Sequence, residues 1–380
     1  MLPITYAIRN LFRDPARLLQ TVGGSALVVL LVMAAFALNR GMTEVLSATG
    51  SPDNIILLGA GSEESVERSE VKLDAESVTQ SLRGLQSSLG VPAVSGEIHY
   101  QAPLTLPDGK QSQARLRGVT EKALLVHPRV RLLDGRFPNP GEIMVGRLAH
   151  LKLGTSAPML ALGKSLKFGD TPFPIAGIFE APGTVMESEI WFDRNDLATL
   201  TQRDSLSCVV LRLDDAEFDD VAALTFQRND LELVAISEEA YYSKLAAFYR
   251  PIRAMTWLTA ALVAAGAVFG GLNTLYAAFA SRIREMGTLQ AVGYGRPALL
   301  LSLLQESVLA TLTGTLLATV LAMLLLDGFT VPFSVGTFTL ALSPPVLLAG
   351  LTSGLLLGIL GALPPAYRCL KPSLPKALSS

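Results

Sequence analysis

Four long stretches without charge dominate this chain and decide what it can fold into. Residues 18–38 and 254–280 contain no charged side chain, and residues 297–326 contain only one. Residues 328–367 are also uncharged, and 346–366 is the part most typical of a membrane span. About 20 apolar residues cross the hydrocarbon core of a bilayer as a helix. Four such stretches in one chain favour membrane-spanning helices over helices buried in a soluble protein.

The first stretch also has features of a secretory signal peptide. Arg9, Arg13 and Arg17 precede it, and the small residues Ala35 and Ala37 lie near its end. The apolar part of a signal peptide is usually only about 7–15 residues long, and this stretch is longer. We therefore expect an uncleaved membrane anchor.

Charge divides the chain into two kinds of sequence. Of the 31 Lys+Arg and 33 Asp+Glu residues, 22 basic and 29 acidic ones lie between Arg40 and Arg253. The remainder holds only 9 basic and 4 acidic residues. The balanced total excludes a typical nucleic-acid binder, and 50% hydrophobic residues exclude a disordered chain. We predict an acidic, water-exposed middle within a sparsely charged, slightly basic membrane frame.

Basic residues on the short segments predict the orientation, because such residues are retained on the cytoplasmic side. Both termini and the segment between the second and third spans should then be cytoplasmic, and the acidic middle should lie outside. The basic residues concerned are Arg9, Arg13, Arg17, Arg282, Arg284, Arg296, Arg368, Lys371 and Lys376.

The predicted fold is a membrane protein with four transmembrane α-helices and a large mixed α/β extracytoplasmic domain between spans 1 and 2. The predicted segments are a cytoplasmic amphipathic segment (1–17), span 1 (18–39), the extracytoplasmic domain (40–253), span 2 (254–280), a cytoplasmic coupling helix or loop (281–296), span 3 (297–326), a short extracytoplasmic loop (327–345), span 4 (346–367) and a cytoplasmic tail (368–380).

Short strands and amphipathic helices are both expected in the acidic middle. β-Branched and aromatic residues predict strands at 54–58, 174–179, 189–192 and 208–213. Apolar residues at helical spacing predict helices at 74–85, 217–227 and 238–250. The carboxylates of residues 214–220 suit either a cation site or the acidic start of a helix, and the second interpretation is favoured.

No catalytic motif stands out. Gly163-Lys-Ser165 resembles the end of a phosphate-binding loop, but Pro158 occupies the position of its first glycine. The chain also lacks Gly-x-Ser-x-Gly and His-Glu-x-x-His. Cys208 and Cys369 are expected on opposite sides of the bilayer, where they cannot pair. We therefore expect a non-catalytic chain with no cofactor, metal or disulfide of its own.

The segment between spans 2 and 3 is the most patterned part of the chain. Ile283, Met286 and Leu289 follow helical spacing, and Gly293 is suited to end that helix. One interpretation is an interfacial helix whose arginines reach the lipid headgroups. The other is a coupling helix that docks in a groove of another protein.

This segment resembles the FtsX-like permeases of ABC transporters, which have MacB and the LolC/LolE proteins as relatives. The motif after span 2 is matched by Arg282, Arg284, Glu285, Met286, Gly287, Leu289 and Gly293. Gln305 and Glu306 match the polar position early in span 3, and residues 7–17 and 363–368 match the family's termini. The acidic middle matches more loosely, through residues 135–137 and 177–179.

The resemblance implies a permease that works as a dimer, of identical or different chains, with two separate cytoplasmic ATPases that bind ATP and Mg. In this family, ATP binding and hydrolysis drive movements of the outer domains, which is called mechanotransmission. MacB-like members export substrates through a periplasmic adaptor and an outer-membrane channel. Lol-like members release lipoproteins from the inner membrane, and FtsX proper regulates cell-wall hydrolases. The rival from another class is a membrane-anchored receptor or sensor, which would leave the patterned segment unexplained.

Two further sets of residues lie inside the predicted spans. Gln305 and Glu306 are polar, and Glu306 should face a partner or water unless span 3 begins later and leaves it near the interface. Small residues allow close approach of helices, and their expected role is helix packing, with dimerisation as a second hypothesis. They are Gly266, Gly270 and Gly271 in span 2 and Gly350, Gly354 and Gly358 in span 4.

Overall fold

The computed structural model describes residues 4–372, which form two compact units. The helical bundle contains the described residues up to Arg40, Pro251–Phe329 and the described residues from Leu340 onward. The α/β domain contains Gly41–Arg250 and Thr330–Thr339. The α/β domain is therefore built mainly from the segment between the first and second long helices, with a short contribution from Thr330–Thr339.

Twelve α-helices are present in the described chain. They are α1 (Ile4–Leu11), α2 (Pro15–Thr49), α3 (Asp74–Thr79), α4 (Ala123–Val126), α5 (Ala149–Leu153), α6 (Arg194–Thr201), α7 (Phe218–Gln227), α8 (Glu238–Phe248), α9 (Arg250–Ala280), α10 (Ile283–Ala291), α11 (Arg296–Leu325) and α12 (Pro344–Cys369).

Four of these helices, α2, α9, α11 and α12, are long and apolar enough to cross a membrane, which confirms the four predicted spans. Their ends differ from the uncharged stretches because polar residues extend each helix. The clearest case is α2, which continues ten residues past the predicted end of span 1 to Thr49. Helical conformation is disfavoured for the residue before a proline, and Pro52 follows shortly after this end.

Close packing in the bundle centres on the glycines of α12. A Cβ atom on Gly350 would lie 2.7 Å from Sδ of Met33 in α2, and one on Gly358 would lie 3.0 Å from Cα of Val308 in α11. A Cβ on Gly354 would collide with the hydroxyl of Thr315 in α11. The absence of side chains at these glycines therefore lets α12 approach two neighbouring helices closely.

The α/β domain is built on one large mixed sheet and two small hairpins. The sheet order is β12-β1-β11-β4-β5-β10-β7-β9-β6, and β8 pairs with both β4 and β9. The strands are β1 (Asn54–Gly59), β2 (Ser87–Ser88), β3 (Val91–Pro92), β4 (Val94–Thr105), β5 (Gln111–Val119), β6 (Arg131–Gly135), β7 (Ile143–Gly146), β8 (Ser165–Phe168), β9 (Thr171–Glu180), β10 (Ile190–Asp193), β11 (Cys208–Arg212), β12 (Leu233–Ser237), β13 (Thr330–Pro332) and β14 (Thr337–Thr339).

Six strands of the sheet close into a ring around an apolar core. Because β8 joins β4 to β9, the path β4-β5-β10-β7-β9-β8 returns to its starting strand. Each of these strands contributes a buried apolar side chain to one cluster, namely Leu104, Leu116, Phe192, Val145, Ile175 and Leu166. β4 is long enough for its first residues to pair with β11 and the rest with β5.

Local predictions in this domain differ from the structure mainly where turns intervene. The predicted helix at 74–85 is wrong beyond Thr79, because the chain turns and Gly84 adopts a left-handed φ of 79° against Ala216. The acidic run does begin a helix, since the backbone N–H of Glu217 donates to Asp220 just before α7. The predicted helix 238–250 ends at Phe248, and α9 begins anew at Arg250, with Pro251 in its first turn.

The loop predicted at 327–345 contains an element that sequence reasoning missed. β13 and β14 form a two-stranded antiparallel hairpin that belongs to the α/β domain. The carbonyl of Ser334, at the hairpin's tip, accepts a hydrogen bond of 3.1 Å from Lys152 Nζ. The α/β domain therefore takes strands from two connections, the long one between α2 and α9 and the short one between α11 and α12.

Candidate functional site

The patterned segment after span 2 folds as the short helix α10, which has two distinct faces. Met286 and Gly287 are buried, and Met286 joins a cluster with Phe279 of α9 and Leu303 of α11. Leu289 packs against the same cluster. The helix ends at Ala291, and Gly293 follows with a φ of 108° that is accessible mainly to glycine.

The opposite face of α10 is exposed. Arg284 and Thr288 lie one turn apart on this face, and Val292 follows with 72% of its surface exposed. The residues predicted to contact a partner ATPase therefore lie on different sides of the helix. Arg284 and Gly293 are exposed, Met286 and Gly287 are buried, and Leu289 is half-buried. Their contact with a partner stays a prediction.

Arg282 and Glu285 take part in a group of ion pairs that we call the charge cluster, formed by Arg13, Arg17, Arg282, Glu285 and Glu306. Glu306 Oε1 accepts a hydrogen bond of 2.7 Å from Arg17 Nη2, and its Oε2 accepts one of 2.8 Å from Arg282 Nη1. Arg282 Nε also donates to Glu285 Oε2 at 3.1 Å. The outermost pair joins Arg13 Nη1 to Glu285 Oε1 at 2.6 Å.

Burial within the charge cluster increases toward Glu306. The side chain of Arg13 is 66% exposed, whereas that of Glu306 is 5% exposed. Burial alone would raise the pKa of Glu285, but hydrogen bonds from Arg13 and Arg282 lower it. Burial would lower the pKa of Arg282, and the two carboxylates that it contacts raise it instead. Arg282 and Glu285 therefore each stabilise the charged form of the other.

The structure gives Glu306 the two basic partners that sequence reasoning did not identify. A lone carboxylate in an apolar span implies a nearby cation, but no local pattern connects Glu306 with Arg17, which lies 289 residues away. Gln305 lies half-buried beside Glu306. Gly350, Gly354 and Gly358 lie in helix contacts of the same chain, whereas added Cβ atoms at Gly266, Gly270 and Gly271 would meet nothing within 4 Å.

A second buried charged group lies in the α/β domain, on the face of the sheet opposite the ring's apolar core. Alternate residues of a strand point to opposite faces, so Glu97 and His99 of β4 share a face that Ile98 does not. The guanidinium of Arg117 donates to both oxygens of Glu189, at 2.7 and 2.9 Å, and to Glu97 at 2.7 Å. All three charged side chains are at most 2% exposed.

The carboxyl groups of this buried network are held in their ionised form. Burial alone would raise the pKa of Glu189, but the charge and hydrogen bonds of Arg117 lower it to about 2. Burial would likewise raise the pKa of Glu97, and His127 together with Arg117 holds it well below its usual range. Both carboxylates therefore depend on Arg117 for their charged form, and loss of this cation would leave them buried without it.

Three residues of this region have the chemistry of metal ligands. The ligand atoms of Glu97, His99 and Cys208 lie within 4.8 Å of one another, and all three are buried. Both oxygens of Glu97 are already engaged, one by Arg117 and the other by His127 at 2.9 Å. A cation would have to displace the guanidinium, so the arrangement favours an ion-pair network. Cys208 and Cys369 are both free thiols.

Comparison with known proteins gives matches over most of the chain. The family model for the MacB-like periplasmic core domain matches residues 18–225, and that for the FtsX-like permease C-terminal matches residues 257–374. No curated protein matches.

Solved structures resemble the chain over about half of its length. The periplasmic region of MacB from Actinobacillus actinomycetemcomitans is 14% identical, with 54% of this chain and 97% of that chain covered and a TM-score of 0.40. The extracellular domain of the ABC-type transporter YknZ from Gram-positive bacteria is 16% identical, with 48% and 99% covered and a TM-score of 0.38. A domain of a putative permease from Porphyromonas gingivalis is 14% identical, with 48% and 88% covered and a TM-score of 0.35.

The two family models cover both units, and the MacB-like model alone covers more than half of the chain. Permease subunits of this kind are generally the non-catalytic components of ABC transporters, and the family implies an ABC ATPase partner and dimer formation. With its four spans, the chain is a multi-pass protein of the inner membrane. The chain belongs to the family of FtsX-like, MacB-like permease subunits of ABC transporters.

Proposed function

We propose that this chain couples a separate cytoplasmic ATPase to movements of the α/β domain, and that it does so through α10. The observation that carries the proposal is the division of α10 into two faces. Its inner face is fixed to the bundle by the packing of Met286, by the pair of Arg282 with Glu306 and by the pair of Glu285 with Arg13. Its outer face, with Arg284 and Thr288, is free to receive a partner groove.

The proposed orientation places α10 and both termini in the cytoplasm. The pair Arg13–Glu285 brings the N-terminal segment to α10. Arg296 at the start of α11 donates to the carbonyl of Pro372 at 3.4 Å, which brings the C-terminal segment to the same end of the bundle. Basic segments grouped at one end are expected on the cytoplasmic side. ATP and Mg would be bound by the partner, and this chain would hold no cofactor.

The proposed task is export of a substrate with the help of a periplasmic adaptor and an outer-membrane channel. Support comes from the MacB-like core domain, which accounts for most of the α/β domain. The substrate need not cross the bilayer in this mode. A substrate on the outer side can be moved when the α/β domain changes its conformation. This mode is mechanotransmission.

The test is co-purification of the tagged full-length chain in mild detergent, with all companions identified by mass spectrometry. We expect an ABC ATPase with the wild-type chain. The exposed-face variant Arg284→Glu with Thr288→Trp should lose it, because charge and shape both change where the partner docks. Arg83→Glu, on an exposed arginine of the α/β domain, is the matched control and should retain the ATPase.

The proteins that co-purify with the chain distinguish between the alternative functions. An adaptor recovered with the ATPase supports export. A lipoprotein or a cell-wall hydrolase in its place would replace export by lipoprotein release or hydrolase regulation. A stable chain without any ATPase in several detergents would overturn the coupling proposal and favour a membrane-anchored receptor.

A further inference from the structure

Glu306 joins three segments that lie far apart in the sequence. Its two oxygens accept separate hydrogen bonds, from Arg17 in the first turn of α2 and from Arg282 immediately before α10. The two bonds measure 2.7 and 2.8 Å, and Glu306 itself belongs to α11. One carboxylate therefore connects span 1, α10 and span 3.

Separation of these partners is unfavourable. Glu306 is 5% exposed, and the side chains of Arg17 and Arg282 are 12% and 13% exposed. A charge that loses its partner in a place with little water is strongly destabilised. The three segments are therefore expected to move as one body at this point.

The connection at Arg17 matters because α2 is one unbroken helix. Its 35 residues span about 52 Å at 1.5 Å per residue, against a hydrocarbon core of about 30 Å. The residues of α2 after Arg40 belong to the α/β domain. A rigid helix can carry a displacement from its first turn to its last.

We propose that Glu306 is a positioning residue that makes α10 and span 1 move together, so that a displacement of α10 reaches the α/β domain through α2. Arg17 and Arg282 are its two working partners. Glu285 and Arg13 add a more exposed connection between α10 and the N-terminal segment. The inference rests on the proposed docking of an ATPase on α10.

The experiment measures the distance between spin labels on α10 and α2 in the full-length chain in lipid nanodiscs. Labels are placed at Thr288 and Leu19, which are both exposed, after replacement of the buried Cys208 and Cys369 by alanine. We expect one narrow distance distribution for the wild-type cluster. Glu306→Gln and Arg17→Gln should each broaden it.

Two variants separate positioning from general damage to the bundle. Glu306→Asp keeps the charge on a shorter side chain, and its distribution of label distances should be narrower than that of Glu306→Gln. Gln305→Ala changes the polar neighbour that lies outside the charge cluster and should leave the distribution as in the wild type. An unchanged narrow distribution in Glu306→Gln would overturn the proposal, and so would equal broadening in Gln305→Ala.

A second readout distinguishes this inference from the proposed function. With the partner ATPase present, Glu306→Gln should still bind it, since the outer face of α10 is untouched, but stimulation of ATP hydrolysis by the permease should be lost. Failure of the wild-type chain to bind any ATPase would reject docking on α10, while the label distances still decide whether Glu306 holds the two helices together. Full stimulation in Glu306→Gln would reject its role in coupling.

Discussion

Arg117 and Glu306 show how differently a single residue can organise buried charge in this protein. Arg117 is a cation between two carboxylates in the α/β domain, whereas Glu306 is a carboxylate between two arginines in the bundle. In both places the central group uses more than one of its hydrogen-bonding atoms. Loss of the central residue therefore strands two charges at once.

The first prediction concerns Arg117→Met. Methionine has a similar reach but no charge, so Glu97 and Glu189 would lose the buried cation that they share. Removal of one partner from a buried ion pair typically costs about 3–5 kcal/mol, and we expect the free energy of unfolding to fall by this amount. Trp191 is a suitable reporter, because its indole N–H donates to Glu189 at 3.0 Å. Its fluorescence can be followed during urea unfolding of the full chain with Trp257→Phe.

The matched control is Arg136→Met. Arg136 also forms a two-bond pair with a carboxylate, Glu142, but its side chain is 54% exposed. An exposed ion pair contributes about 0–1 kcal/mol, so little change is expected. Similar losses in the two variants would contradict the special role of the buried network.

Acid should weaken the α/β domain through the same carboxylates. The pKa of Glu189 is lowered from its ordinary 4.5 to about 2, and that of Glu97 is lowered as well. A lowered folded-state pKa gives stability that is fully present above pH 4.5 and is lost as the pH falls toward 2. His99, whose pKa is lowered by burial and by Arg117, acts in the same direction below its ordinary 6.5. Glu238 acts oppositely, because burial raises its pKa.

The measurement is the urea midpoint of Trp191 fluorescence as the pH is lowered through this window. We expect the midpoint to fall, and to fall less steeply in Arg117→Met, where the carboxylates have lost the charge that lowered their pKa. A midpoint that rises on acidification would mean that Glu238 outweighs the network and would contradict the prediction.

At the scale of elements, α10 shows what a sequence pattern can and cannot specify. The spacing of Ile283, Met286 and Leu289 predicts a helix with one apolar face, because helical periodicity is a local property. The pattern does not say what that face contacts. Met286 of that face packs with Phe279 and Leu303. The ion pairs beside it depend equally on the assembled bundle, since Arg17 and Glu306 are 289 residues apart.

The close contact of Gly354 in α12 with α11 can be tested by adding a side chain. In Gly354→Leu, the new side chain would collide with Thr315 of α11. Overpacking of a tight contact typically costs about 1–3 kcal/mol, and we expect a lower thermal unfolding temperature in detergent. Gly23→Leu in α2 is the control, since nothing lies within 4 Å of its Cβ position. Equal loss in both variants would mean that α12 does not depend on close approach at Gly354.

For the whole molecule, the sequence is sufficient to predict the four spans and the inserted α/β domain but not the closure of the ring. Span length and charge are read along the chain, whereas ring closure depends on β8, only four residues long, pairing with both β4 and β9. The buried network is equally non-local, since Arg117 and Glu189 are 72 residues apart. One signal was available, namely the alternation of charged and apolar residues in β4 and β5.

Span 2, formed by α9, is hardly buried by the other helices of its own chain. In its most apolar window only 6% of the residues of α9 are buried, against 33–39% in α2, α11 and α12. Since the family implies a dimer, α9 is the span best placed to meet a second copy. With Cys208 and Cys369 replaced by alanine, Gly266→Cys and Gly270→Cys should form a disulfide between copies in native membranes.

Gly354→Cys is the matched control for this crosslink. Its position is covered by Thr315 of the same chain, so a thiol there is expected to stay monomeric on a non-reducing gel. All three positions are glycines in spans, but only Gly354 has atoms of the same chain within 4 Å of its Cβ position. The prediction is contradicted if neither α9 variant crosslinks, or if the α12 variant crosslinks as readily. In that case α9 faces lipid, and the dimer forms through other exposed apolar residues of the bundle.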